Sequence, residues 1–374
     1  LLALGSLGIG LLAAELAARL FLERPQSARI FAQRSFEERL AGENARPETM
    51  RMPVAMERRF IIETPTGFRL RANTVAVIES HRLCKEDIEV RTNSLGFRGP
   101  DVGEKSGTRV LFIGDSITLG DYLHEEDTFV RRVEGLFSDA GQEVQTINAG
   151  VGGIGLANEL AVLLETGLRV DPDVVVVGFY LNDAMSSNGV EVLQIPAFLR
   201  WSRLLQHLAQ RLPDVVQGER SETDKSMRRA WADEVATAFP PVEGDPLEDP
   251  AAFPSLMQEA WKDWGSAWSA GAWTRIVPVI EEFERQAELH DFELLFLCFP
   301  VRAQVEASFL FDHPQQRLAR ELKRLDIPLL DLLPLLREEQ RSGAEELFYD
   351  QCHHTPHGNL RIAEWVHDFL KEHL

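Results

Sequence analysis

The chain has little cysteine and little positive charge, and each shortage removes a class of reading. Its three cysteines are Cys84, Cys298 and Cys352. An odd count excludes a fully paired disulfide framework, and the spacing matches no metal-binding pattern. Lysine and arginine number 39 against 59 aspartates and glutamates, a formal net charge of −20. Nucleic-acid binding needs clustered cations against phosphate, so this balance argues against a nucleic-acid partner. Long apolar runs are scarce too, with one exception at the start.

That exception is Leu1 to Leu22, interrupted by Glu15 and Arg19. It is just long enough for the ~20 residues a helix needs to cross a bilayer. No clean small-residue cleavage site precedes Arg24-Pro25. The expectation is an uncleaved transmembrane anchor over residues 1–24, with the membrane as a partner and the catalytic domain periplasmic or extracytoplasmic. A cleaved signal and a buried helix are the alternatives.

The rest has ordinary globular composition, 44% hydrophobic and 26% charged over 374 residues. That length suits two units or one elaborated unit. Residues 25–107 read as a linker, or a surface helix, followed by a small β-rich extension. Within the extension, Phe60-Ile61-Ile62, Val75 to Ile78 and Ile88-Glu89-Val90 suggest short strands. Residues 108–374 read as the main domain.

Five short apolar runs there predict buried strands: 109–114, 144–148, 174–179, 293–299 and 327–332. Amphipathic stretches at 128–137, 156–167, 274–289 and 317–324 predict helices between them. Near-continuous Val, Ile and Leu in strands alternating with helices implies a parallel sheet covered on both faces. Such sheets bind ligands beyond the carboxyl ends of their strands. Four of those ends carry polar chemistry. They are Gly114-Asp115-Ser116, Asn148 to Gly155, Tyr180-Leu181-Asn182-Asp183, and the loop after the last strand, Tyr349 to Gly358.

Ester cleavage needs what these segments contain. A serine hydroxyl on a strand-to-helix turn is weakly nucleophilic until an imidazole takes its proton. The imidazole needs a carboxylate to hold its tautomer, and Asp350 and His353 are three residues apart on one loop. The oxyanion needs preorganised donors, for which the amides of Ser116 and Gly153 and the Asn182 side chain are candidates.

These blocks resemble the four signature segments of the SGNH (GDSL-type) serine hydrolase family, and Asn93 to Gly99 resembles a segment preceding the core in membrane-anchored members. The resemblance covers roughly 108–185 and 274–374. It implies an α/β, three-layer α/β/α flavodoxin-like fold with a five-stranded parallel sheet. It implies Ser116, Asp350 and His353 as catalytic residues, Ser116, Gly153 and Asn182 as the oxyanion hole, and neither cofactor nor metal. The third block departs from the family's Gly-x-Asn-Asp, because Tyr180 stands where the family has Gly.

Blander readings exist for each residue. Ser116 could simply cap a helix. Gly150 to Gly155 spells the dinucleotide fingerprint, but the following strand ends without the acidic residue that pattern wants. Asp350, Cys352, His353, His354 and His357 could be a metal cluster, although crowding on one loop makes joint ligation awkward. His354 and His357 read as surface or supporting groups. Asp115 and Asp183 read as holding loops through backbone hydrogen bonds. Arg302 reads as a surface ion pair or a contact to an anionic substrate group.

Residues 186–273 form a long insertion holding Trp201, Trp231, Trp261, Trp264, Trp268 and Trp273. Trp261, Trp264 and Trp268 share a helical face, which is core or a ligand platform. The insertion is expected to cap the site and shape recognition. The leading function is a serine esterase acting on O-acetyl or short acyl esters of an envelope carbohydrate or lipid. The alternatives are an O-acyltransferase using the same triad and, further off, a noncatalytic binding module.

Overall fold

The computed structural model describes residues 2–21, 28–30, 48–53, 59–64, 66–184, 190–192, 202, 204–205, 260, 263–306, 312–343 and 345–374. Its centre is a sheet of five parallel strands: β1 (Thr108–Gly114), β2 (Val144–Asn148), β3 (Val174–Tyr180), β4 (Glu293–Phe299) and β5 (Leu329–Asp331). Their spatial order is β5-β4-β3-β1-β2. Every residue of β3, VVVVGFY, is buried, as expected of a strand covered on both faces.

Helices α1 (Phe129–Asp139), α2 (Leu156–Glu165), α3 (Ala270–His290), α4 (His313–Arg324), α5 (Leu332–Arg341) and α6 (Pro356–Lys371) connect or follow the strands. Helix α1 packs against α6, and α2 against α3. All four predicted helices are present, and the five strands fall within three residues of expectation. The largest shift is in β5, which starts at Leu329, two residues later than expected, and stops at Asp331 rather than Leu332. The Asp331 side chain accepts the Leu333 N–H at 3.0 Å and so starts α5 there.

The strand order reverses direction between β1 and β3. In α/β sheets such a point is where the ligand crevice lies, beyond the carboxyl ends of the strands. Ser116 and Asn182 follow those two ends within two residues of Gly114 and Tyr180.

The extension before β1 contains the three expected strands, Ile61–Thr64, Thr74–Glu79 and Ile88–Arg91, and one that was not expected, Gly67–Leu70, which pairs with the first. The described parts of the stretch expected as linker are strands instead. Glu48–Pro53 pairs in parallel with Thr74–Glu79, and Ala28–Ile30 pairs antiparallel with Val190–Val192 of the insertion. The extension shares the core of the main domain. A buried ion pair joins them, with Arg69 Nη2 donating to Glu165 Oε2 at 2.8 Å, and Asn158 Nδ2 donates to Thr66 O at 2.7 Å.

The expected transmembrane anchor meets a different finding. Leu2–Phe21 is a helix, yet among the described residues no helix is long and apolar enough to cross a membrane. Its two charged residues pair with each other, Arg19 to Glu15 at 2.8 Å. Glu15 also accepts from Ser202 Oγ at 2.7 Å and from the Leu204 N–H at 3.1 Å, so this face of the helix is held by polar contacts with the protein.

Much of the insertion, including Trp201, Trp231 and Trp261, lies outside the described residues. Trp264 is completely buried and meets Trp268 edge-to-face at 5.4 Å between centroids. This part of the tryptophan stripe is core.

Candidate active site

The site begins with a tight turn at the end of β1. A Cβ at Gly114 would stand 2.2 Å from Thr118 Oγ1, so only glycine fits. Asp115 then caps the short helix Ser116–Leu119 by accepting the Ile117 N–H at 2.8 Å, which places Ser116 at its first position. The glycine-rich segment after β2 lies directly against this turn. A Cβ at Gly150 would be 2.3 Å from Leu119 N, and one at Gly152 would be 3.9 Å from Ser116 Cβ. Gly153 follows with φ 78°, in the left-handed region.

Arg98 secures the turn from outside. Its buried guanidinium donates to Leu119 O and Leu123 O at 2.8 and 2.7 Å, and also to Gly120 O. Its own N–H donates to Asn148 O at 3.0 Å. The Asn93 to Gly99 segment therefore braces the nucleophile turn, a role its motif did not disclose.

The loop before α6 brings Asp350 and His353 to the same crevice. Asp350 Oδ1 accepts the backbone N–H groups of Cys352 and His353 at 3.1 and 2.9 Å. His353 Nδ1 lies 2.9 and 2.8 Å from the two carboxylate oxygens, which assigns its proton to Nδ1. Nε2 is then an acceptor, 3.0 Å from Ser116 Oγ. Tyr122 packs edge-on against the imidazole at 4.8 Å between centroids.

Electrostatics match this geometry. Burial opposes the Asp350 charge, but hydrogen bonds from His353 and from two backbone amides outweigh it and hold the carboxyl at about 2. Burial likewise pulls the His353 pKa down, while Asp350 raises it more, so the imidazole is more basic than usual. Such a serine–imidazole–carboxylate line can move a proton off the hydroxyl as it attacks a carbonyl.

Asn182 lies at the third strand end, but its amide is already engaged. Its Nδ2 donates to Asp263 Oδ1 at 3.2 Å, and Tyr180 Oη donates to Asp263 Oδ2 at 3.2 Å. Asp263 belongs to the insertion, 81 residues away in sequence, and no motif announced it. The one hint was Tyr180, whose hydroxyl reaches the carboxylate that a glycine could not.

The remaining candidates separate. Arg302 pairs with Glu306 at 2.7 Å and lies 3.7 Å from Glu346, while its backbone N–H donates to Gln351 O at 2.7 Å and steadies the histidine loop. His354 is a correction to the surface reading. It is completely buried with its ring against Phe348 and Phe299, and burial pushes its pKa down to about 3. His357 is partly buried, its Nε2 3.5 Å from Glu339. Asp183 accepts the Tyr180 N–H at 2.8 Å, as its loop-holding reading expected. Donor atoms of Asp350, Cys352 and His353 come within 4.8 Å of one another. Burial raises the Cys352 thiol well above its ordinary pKa, so it is held as the thiol, a poor metal ligand.

Residues 112–291 match the GDSL-like lipase/acylhydrolase family. This span includes Ser116, Gly153 and Asn182 and ends before Asp350 and His353. No curated protein matches the chain. Among solved structures it is similar to the acetyl xylan esterase AlAXEase, at 14% identity over 70% of this chain and 99% of that one, with TM-score 0.40. It is also similar to a two-domain esterase active on acetylated mannans (13%, 71% of this chain and 49% of that one, 0.40). A third similar structure is the lipase/acylhydrolase from Enterococcus faecalis (16%, 71% and 97%, 0.39). The chain carries a GDSL-like lipase/acylhydrolase domain and is a hydrolase of ester bonds.

Proposed function

We propose that the chain is a serine esterase that works through an acyl-enzyme at Ser116. The reading is carried by one observation, the 3.0 Å approach of His353 Nε2 to Ser116 Oγ with Asp350 behind the ring at 2.8 Å. Ser116 Oγ attacks the ester carbonyl while its proton passes to His353 Nε2. The resulting oxyanion is met by the amides of Ser116 and Gly153 and by Asn182. Collapse breaks the bond to the leaving alkoxide, which takes the proton from His353. Water then attacks the acyl-enzyme, losing its proton to His353, and Ser116 leaves with that proton as the carboxylic acid departs. Asp350 stays ionised throughout and stabilises the imidazolium.

The substrate in this reading is a short acyl ester of a carbohydrate. A carboxylate at the site, Asp263, is an acceptor-only group suited to sugar hydroxyls and unsuited to an apolar acyl chain. The described insertion residues bring this group to Asn182, which supports a capping role for the insertion.

Incubating the full chain with a fluorophosphonate probe and short-chain nitrophenyl esters tests the reading. Labelling at Ser116, lost in Ser116→Ala and reduced with ester turnover in His353→Ala, is the expected result. Ester turnover that survives Ser116→Ala overturns it.

A further inference from the structure

Three carboxylates beneath the site take no part in the chemistry above. Asp115 immediately precedes Ser116, Asp183 immediately follows Asn182, and Glu159 lies in the first turn of α2, just beyond the glycine segment. Each is buried, with exposures of 0%, 3% and 0%. Asp115 and Asp183 each spend one oxygen on a backbone N–H. Asp115 Oδ2, Asp183 Oδ1 and both oxygens of Glu159 have no donor among the described residues.

Carboxylates so placed cannot all be charged, since burying an unpaired ion costs far more than burying the neutral acid. The groups acting on Glu159 are Asp115 and Asp183. Asp183 is also faced by the Cys298 thiol of β4. Asp115 is faced by His353, Asp263 and Asn182. Among the described residues, the group able to carry positive charge that acts on this cluster is His353, through Asp115. Asp183 packs against the start of α2, since a Cβ at Gly155 would stand 3.4 Å from Asp183 O, and the Glu159 and Asp183 carboxyls act on each other. Two neighbouring carboxylates have no hydrogen between them unless one is protonated. A shared proton turns the repulsion into an O–H···O bond and supplies a missing donor.

We propose that Glu159 is a positioning residue, joined to Asp183 by one shared proton that ties helix α2 to the loop carrying Asn182. Three segments of the site thereby meet in one buried acid cluster: the nucleophile turn, the helix after the glycine segment and the Asn182 loop. The directions of titration agree, because burial raises both Glu159 and Asp183 well above their ordinary range and pushes Asp115 up to about 6. A group raised in this way stabilises the fold while protonated and loses that contribution as pH climbs through its folded pKa. Stripping the proton leaves like charges side by side and releases the loop, so kcat falls on the high-pH side of that titration.

The inference rests on the esterase reading and is tested beside it. Glu159→Gln supplies a donor that cannot be titrated away, whereas Glu159→Ala supplies none. Glu159→Gln is expected to keep the parent's maximal kcat within about threefold and to lose its fall with rising pH. Glu159→Ala is expected to lower kcat about tenfold or more with KM changed by less than about threefold, the signature of a lost transition-state contact. Both should still label at Ser116 with the fluorophosphonate probe. Equal damage in the two variants, no damage in either, or a fall with rising pH that persists in Glu159→Gln would overturn the proposal. If Glu159→Ala does not fold, the pH profile of Glu159→Gln decides alone. Failure of the esterase reading is seen separately, as a parent protein that does not label at Ser116.

Discussion

Asp263 Oδ1 accepts a hydrogen bond from Asn182 Nδ2 at 3.2 Å, so a carboxylate of the insertion holds the side chain expected to meet the oxyanion. Tyr180 donates to the other oxygen of that carboxylate, and burial raises the pKa of Asp263. The clamp orients Asn182, but a negative charge this close opposes a second one forming on the substrate. Like charges several ångströms apart cost on the order of 1–3 kcal/mol at the effective dielectric of such sites.

Removing the charge while keeping the shape should therefore help. Asp263→Asn is expected to raise kcat on a neutral ester several-fold, whereas Asp263→Ala frees Asn182 and lowers it. Steady-state kinetics of the two variants on one nitrophenyl ester measure both effects.

His353 must be neutral to accept the serine proton. Its pKa is raised above the ordinary 6.5, so the imidazole stays protonated to higher pH than usual. The kcat/KM profile should rise with pH through a midpoint above 6.5. In Asp350→Asn burial acts without the opposing charge, so the midpoint should fall below its parent value. The rate should drop by roughly 10³–10⁴, as for other triads that lose their carboxylate. A pH–rate series on both proteins checks the sign.

Arg98 satisfies three carbonyls around the nucleophile turn. Arg98→Leu leaves them buried without donors, at about 1–3 kcal/mol each before relaxation. A loss of roughly 3 kcal/mol or more in urea unfolding is expected, with reduced labelling of Ser116.

The Arg69–Glu165 pair joins the extension to α2 with side-chain exposures of 6% and 1%. Glu165→Gln strands the guanidinium and should cost about 3–5 kcal/mol, while Arg69→Met combined with Glu165→Leu should be near neutral. Denaturant melts of the two variants distinguish a broken pair from a replaced one.

Local chemistry made much of this protein readable from its sequence. The runs at 109–114, 174–179 and 293–299 are apolar enough to be buried on both faces, which dictates a parallel sheet with the reactive segments at its carboxyl edge. Gly114-Asp115-Ser116 and the Asp350/His353 pair are short-range patterns whose spacing already places the groups that act together. The anchor expected at the N-terminus finds no support among the described residues, where no helix is long and apolar enough to cross a membrane, and the sequence did not reveal that Glu15 is bonded to Ser202 and Leu204. His354 read as a surface or a supporting group because adjacent residues do not show which ring turns inward, and it lies between Phe299 and Phe348.

What only the tertiary structure decided are contacts between residues far apart in the chain. Asp263 reaches Asn182 across 81 positions, and Arg98 reaches Leu119 across 21. Glu159, Asp115 and Asp183 are buried together from three separate segments without a donor for their free oxygens. Periodicity reports which face of an element is apolar. It carries no record of which buried polar group meets which, because that pairing exists only once the chain has packed.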